Sequence, residues 1–276
     1  MNLPPDITTE LLSIASQSAL QAGALLRQKW DEPRHVSQKG FRDWVTDADL
    51  AAQALIVEII QEKFPDHGFL VEEKVAGLQV EGPICWIIDP VDGTSNYSRQ
   101  QPNFCVSIAA AGQIAKEKEP GKMRAEILAA VVYDPMRDEL FEATAAKGAF
   151  LNGKKIQVSE TETLESAIVA LDWSHEKEKR QRTLEALQQF AHQIHTIRAI
   201  GSAALALAWI AAGRLDAYFN LNMKPWDAAA GQLLIHEAGG QIVNLDNRPW
   251  QLDDPACIAS NGLISPGVFV NLLIDQ

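Results

Sequence analysis

The sequence predicts an α+β half, residues 1 to about 158, packed on an α/β half from about 159 to 276. Three observations predict it. Two stretches with apolar residues at helical spacing open the chain and give way to short apolar runs bounded by Gly, Pro or charge. Beyond about residue 160, strand-like and helix-like segments alternate, as in an α/β layer. No repeat, low-complexity run or flexible linker separates the two patterns, so the halves are expected to share a broad interface as one unit. With 276 residues, 47% of them hydrophobic, the chain can bury a sizeable core.

The first helix is expected over Thr9 to Trp30, where Leu11, Leu12, Ala15, Ala19, Ala22, Leu25 and Leu26 share a face and Thr8 or Thr9 can cap. A second starts near Thr46, carries Leu50, Ala54, Leu55, Ile59 and Ile60, and ends before Pro65. GFLVEE, ICWIID, FCVSIAAAG, AEILAAVVYD and ELFEAT read as strands, several of them hairpin neighbours. KEKEPGKMR is a charged tip around Pro120–Gly121, and LNGKK at 151 to 155 carries an Asn-Gly type I′ turn signal. The second half reads as strand SAIVALDW, a helix around 176 to 193, strand HTIRAI, helix SAALALAWIAAG, strand RLDAYFNL, helix WDAAAGQLLIHEAGG and strand QIVNL.

Cys85, Cys105 and Cys257 are odd in number and widely spaced, which predicts neither a disulfide framework nor a thiolate zinc site and fits a reducing cytoplasm. No basic flank and apolar core mark a leader, and no apolar run reaches membrane-spanning length, so no membrane partner is expected. A net charge of -12 argues against nucleic acid and implies that an anionic substrate needs a mediating cation.

The segment WIIDPVDGTSNY finishes an apolar run with two carboxylates and a glycine turn. Pro90 cannot donate to a ladder, so the chain is expected to turn after Asp89 and bring Asp92 beside it. A helix starting at Gly93–Thr94 would aim its unpaired N–H groups at the same spot, which suits a phosphate. D-P-x-D-G is equally ordinary turn chemistry. Glu72 and Glu73 close the run GFLV, so their carboxylates lie at a strand end rather than along a solvated face; for Glu73 a gatekeeper charge is the preferred reading. Asp49, three residues after Thr46, matches a capping box, and Asp227 reads as a first-turn acid. Four acids at element ends without adjacent basic partners would repel one another unless a cation joined them, and hard oxygen donors select Mg²⁺ or Mn²⁺. The spacing around Asp89 excludes an EF-hand, and His192 and His195 lack an acidic partner.

These residues resemble the inositol monophosphatase family of magnesium-dependent, lithium-sensitive phosphatases. DPVDGT, WDAAAGQLLIHEAGG, WVTDAD and VEEK match its motifs in order across the chain. The resemblance implies an αβαβα sugar-phosphatase sandwich, two or three Mg²⁺ ions per site and a homodimer. It makes Glu72, Asp89 and the Val91 carbonyl ligands of one metal, and Asp89, Asp92 and Asp227 those of a second, with a third leaning on Glu72. By the same resemblance Asp49 and Thr94 orient and deprotonate a metal-activated water, while the amides of Gly93 and Thr94 hold phosphate. Ser202 and Ala203 become substrate contacts. Two departures stand out: Val71 replaces a family glycine, and Asn220 stands where inositol-selective members carry glutamate.

The implied activity is hydrolysis of a small polyol or sugar monophosphate. Related folds cleave 3′(2′),5′-bisphosphate nucleotides, fructose 1,6-bisphosphate or histidinol phosphate, and the motifs do not separate these. A haloacid dehalogenase-like nucleophile does not fit, because Asp89 and Asp92 are three apart with Pro90 between. A non-catalytic phosphoester-binding protein is the remaining alternative, and no motif residue has decayed to favour it.

Overall fold

The computed structural model describes residues 7–32, 35–40, 43–74, 77–112, 114–116 and 123–274. Helix α1 (Ile7–Gln28) leads into a ribbon of β1 (Val36–Gly40) and β2 (Asp43–Thr46), then α2 (Asp47–Lys63). There follow β3 (Gly68–Val71), β4 (Ile84–Asp92), the short α3 (Thr94–Ser98), β5 (Cys105–Gly112) and a two-residue ribbon of β6 (Ala115–Lys116) and β7 (Met123–Arg124). β8 (Ile127–Asp134), β9 (Glu139–Thr144), β10 (Gly148–Leu151) and β11 (Lys154–Lys155) complete a seven-stranded sheet of order β11-β10-β9-β8-β5-β4-β3. Its pairs are antiparallel except β3 with β4.

The second sheet has order β13-β12-β14-β16-β15, from β12 (Ile168–Leu171), β13 (Thr196–Ala199), β14 (Ala217–Asn220), β15 (Gln241–Val243) and β16 (Cys257–Ser260). Helices α4 (Lys177–Phe190), α5 (Ala203–Ala211), α6 (Pro225–Glu237) and α7 (Pro266–Ile274) alternate with or follow these strands.

Strand alternation sorts the helices into layers. On β4, Ile84, Trp86 and Ile88 pack with the apolar faces of α1 and α2, whereas Ile87 packs with α5 and α6. On β14, Tyr218 joins that same α5–α6 core, while Ala217 and Phe219 turn to α4 and α7. The order is therefore helices, sheet, helices, sheet, helices. The middle layer is tight: a Cβ on Gly231 of α6 would lie 2.5 Å from the Leu207 Cβ of α5, so only glycine allows this approach. No helix among the described residues is long and apolar enough to cross a membrane.

Several expectations are adjusted. α1 is already helical at Ile7, so Thr8 and Thr9 lie within it; their hydroxyls accept from Lys147 Nζ at 3.1 and 3.2 Å instead of capping. β1, β2, β16 and α7 went unread; in β1, Val36, Ser37 and Gln38 are exposed, and β2 is only four residues long. The tip around Pro120–Gly121 lies outside the described residues, though its flanks β6 and β7 pair antiparallel. Asn152 and Gly153 both have positive φ, 49° and 74°, as the type I′ signal requires.

Candidate active site

β4 is buried along its whole length and delivers two carboxylates at its end. Asp89 pairs with Ser107 and Asp92 with Cys105, so three steps on β4 oppose two on β5. This bulge corrects the expectation that Pro90 ends the ladder: pairing resumes at Asp92, because the bulge absorbs the residue that has no N–H. The Asp89 side chain braces the bulge by accepting the Val91 N–H at 3.0 Å. Asp227 approaches from α6, and one carboxylate oxygen from each of Asp89, Asp92 and Asp227 lies within 4.8 Å of the others. Glu72, whose N–H bonds the Ile88 carbonyl at the end of β3, brings its carboxyl within hydrogen-bonding reach of Asp89.

Two acids with an evident capping role also reach this site. Asp227 Oδ2 accepts the Lys224 N–H at 2.8 Å, as a first-turn acid should. Asp49 Oδ2 accepts from the Thr46 N–H at 3.0 Å and from the Thr46 hydroxyl, closing the capping box of α2. Its Oδ1 accepts from the Thr94 hydroxyl at 2.8 Å. The capping and site readings of these acids are therefore compatible, since a carboxylate has two oxygens.

Gly93 links β4 to α3 with φ 102°, and a Cβ there would stand 2.9 Å from the Asn103 carbonyl and 3.1 Å from that of Gly201. Conformation and space both demand glycine. Thr94 Oγ1 lies 3.1 Å from the Val91 carbonyl as well as against Asp49. With one proton it donates to one of them at a time and keeps its lone pairs for an incoming donor. Ser202, expected as a substrate contact, is 1% exposed and donates its hydroxyl to Asp92 Oδ2 at 2.5 Å; the Ala204 N–H joins it at 2.7 Å. The correction follows from burial: Ser202 and the first turn of α5 orient Asp92 from behind, while Ala203 lines the cavity.

Burial raises the Asp89 carboxyl well above its ordinary value, and the charges of Glu72, Asp92 and Asp227 raise it further. Asp227 is raised chiefly by burial and then by Asp92. For Asp92, burial outweighs the hydrogen bonds from Ser202 and the α5 amides, and for Asp49 it outweighs those from Thr46 and Thr94. Clustered, buried, oxygen-only donors of like charge fit a hard divalent cation: it would replace mutual repulsion by attraction.

The cavity above this floor has a volume of about 850 Å³. Gly93, Thr94 and Ala203 line it, as does Asn220, whose Nδ2 donates to the Tyr218 hydroxyl at 3.2 Å and whose Oδ1 accepts the Asn222 N–H at 2.8 Å. Val71 is extended and in register with Ile88, so this position does not call for glycine here. Two lining residues escaped the sequence reading. Glu73, read as a gatekeeper charge, is 5% exposed, held through its backbone by Gln53 and close enough to raise Asp49, so it faces the cavity from a buried position. Asp172, beyond β12, carried no motif; the only signal was an acid ending an apolar run.

Comparison with known proteins assigns the class: this layered fold with its acidic floor is that of a phosphatase, and one of a metal-dependent kind. The family model described as the inositol monophosphatase family matches residues 8–273, and the chain belongs to that family. It is 38% identical over 263 residues to an inositol-1-monophosphatase of Synechocystis, covering 95% of this chain and 88% of that one. It is also 38% identical over 265 residues to the Nus factor SuhB of Salmonella typhimurium, covering 95% of each. The crystal structure of the extragenic suppressor protein SuhB from Bartonella henselae superposes with a TM-score of 0.87 at 33% identity, over 97% of this chain and 99% of that one.

Proposed function

We propose that the protein hydrolyses a small polyol or sugar monophosphate with Mg²⁺ as cofactor, Mn²⁺ being a substitute of similar chemistry. One observation carries the reading: three carboxylate oxygens on Asp89, Asp92 and Asp227 within 4.8 Å of one another, beside a glycine turn. In this scheme Glu72, Asp89 and the Val91 carbonyl would hold one Mg²⁺, and Asp89, Asp92 and Asp227 a second. Mg²⁺, when bound, supplies Lewis-acid stabilisation at phosphoryl oxygens and lowers the pKa of water.

The chain's own residues do the rest. Thr94 Oγ1 accepts the proton side of the attacking water while donating its own proton to Asp49 Oδ1, 2.8 Å away. Burial makes Asp49 a stronger base than an exposed carboxylate, which suits it to receive that proton. The amides of Gly93 and Thr94 receive phosphate oxygens, and the loop bearing Ala203 and the wall bearing Asn220 receive the alcohol. A homodimer and a cytoplasmic location complete the proposal; three buried free cysteines agree with a reducing compartment.

The test is phosphate release from a panel of monophosphates and bisphosphates, with Mg²⁺ and with excess EDTA. Hydrolysis of polyol or sugar monophosphates that EDTA abolishes supports the reading, and equal rates with and without EDTA overturn it.

A further inference from the structure

The cavity wall holds a carboxyl that the scheme above does not use. Asp172 Oδ1 accepts the Gly201 N–H at 2.7 Å and Oδ2 accepts the Tyr218 hydroxyl at 3.2 Å. The Tyr218 oxygen accepts in turn from Asn220 Nδ2. Asn220, Tyr218 and Asp172 thus form one chain of hydrogen bonds along the wall, and both ends of the Asn220 amide are engaged inside the protein. A carboxylate has about four acceptor sites, and these two partners occupy two of them. Asp172 also lies close to the phosphate turn: it grips Gly201, whose carbonyl sits 3.1 Å from where a Cβ on Gly93 would be.

We propose that Asp172 is a specificity-determining residue whose carboxylate accepts a hydrogen bond from a hydroxyl of the substrate's alcohol part. The inference rests on the polyol monophosphate reading and deepens it. Asn220, neutral and with one hydrogen bond already made at each end of its amide, cannot supply a charged acceptor; Asp172, carried into the same cavity from the neighbouring strand, does. A hydroxyl donor is matched by this wall, whereas a second phosphate on that side meets a like charge. The substrate class is therefore a monophosphate with a free hydroxyl near the ester, rather than a bisphosphate.

The experiment compares inositol 1-phosphate, rich in hydroxyls, with phenyl phosphate, which has none on its ring, in Mg²⁺ at pH 8, where Asp172, raised by burial to about 7, is ionised, for the unmutated protein and Asp172→Asn. The asparagine keeps an oxygen for the Gly201 N–H, and a melting curve verifies folding. The expected result is a loss of kcat/KM at least about tenfold greater on inositol 1-phosphate than on phenyl phosphate, seen mainly in KM, as befits a lost charged hydrogen bond. Equal losses on both esters would show that Asp172 merely positions the Gly201 loop, and no loss on either would show that it touches nothing; each overturns the proposal. Failure of the underlying reading shows earlier, in the unmutated protein. Release of phosphate from neither ester, or no preference for the hydroxylated one, sinks that reading and takes the proposal with it.

Discussion

Asp92 and Asp172 are both carboxylates, line one cavity and grip neighbouring residues of the same loop. Asp92 takes the Ser202 hydroxyl and the Ala204 N–H; Asp172 takes the Gly201 N–H and the Tyr218 hydroxyl. Their other neighbours differ. Asp92 shares its space with Asp89 and Asp227, so the floor is a set of clustered like charges of the kind that suits a divalent cation. Asp172 has neutral donors around it, feels Asp92 only through space, and burial brings its carboxyl to about 7. Floor and wall thus have different tasks: floor residues should govern turnover of every ester, and wall residues the choice among esters.

The largest effect that tests this division belongs to Asp89, which the charges of Glu72, Asp92 and Asp227 all reach. Asp89→Asn should lower kcat by about 10³-fold or more on inositol 1-phosphate and phenyl phosphate alike, and Asp227→Asn by about 10²-fold. Steady-state phosphate release measures both. A variant of Asp89 that changes the preference between esters without slowing turnover would erase the distinction between floor and wall.

Thr94→Val comes next. It removes the hydroxyl that donates to Asp49 and that is proposed to receive the attacking water's proton, so kcat should fall about 10²-fold with KM little changed, while Thr94→Ser should retain most of the rate. An equal defect in both variants would mean that the methyl group, not the proton path, matters. Ser202→Ala should act more gently, because the Ala204 N–H still holds Asp92. The expected change is a rise of about tenfold in the Mg²⁺ concentration for half-maximal rate, with the preference between esters intact.

The same contrast decides what could be read from the sequence. The floor is spelled by contiguous motifs, because a bulged strand end and a helix start need Asp, Pro and Gly at fixed offsets: DPVDGT encodes Asp89, Asp92 and the turn together. Helix periodicity and continuous apolar runs likewise gave the main layers, since α1 and α2 each bury one face, whereas β4 and β14 are buried on both. The wall has no such grammar. Asp172 and Tyr218 lie 46 residues apart and meet only because β12 and β14 are parallel neighbours. Ser202 reads as a helix cap, yet its hydroxyl crosses 110 residues of chain to Asp92. Glu73 reads as a surface charge because its burial depends on Gln53 of α2, 20 residues earlier.

The smallest predicted effect concerns stability and sharpens the floor's side of the comparison. Asp49, Asp89, Asp92 and Asp227 all have carboxyls raised above the ordinary value of 3.8 by burial, with mutual repulsion added at Asp89 and Asp227. The folded protein therefore binds protons more tightly than the unfolded chain. The stability these groups contribute is complete below the unfolded value near 3.8 and is lost as pH rises through the higher folded values. Without divalent cations, the melting temperature should consequently be higher near pH 5.5 than near pH 8, by a few degrees, since 1 kcal/mol corresponds to about 2–4 °C for a chain of this size. Mg²⁺ offsets the repulsion between ionised carboxylates, so the rise it gives in melting temperature should be larger at pH 8 than at pH 5.5. In Asp89→Asn one charge of the cluster is gone, and both the pH dependence and the Mg²⁺ shift should shrink; in Asp172→Asn the Mg²⁺ shift should persist. Differential scanning fluorimetry across that pH range measures all three proteins, and a Mg²⁺ shift that is independent of pH in the unmutated protein would show that the floor's carboxylates do not repel one another as their packing requires.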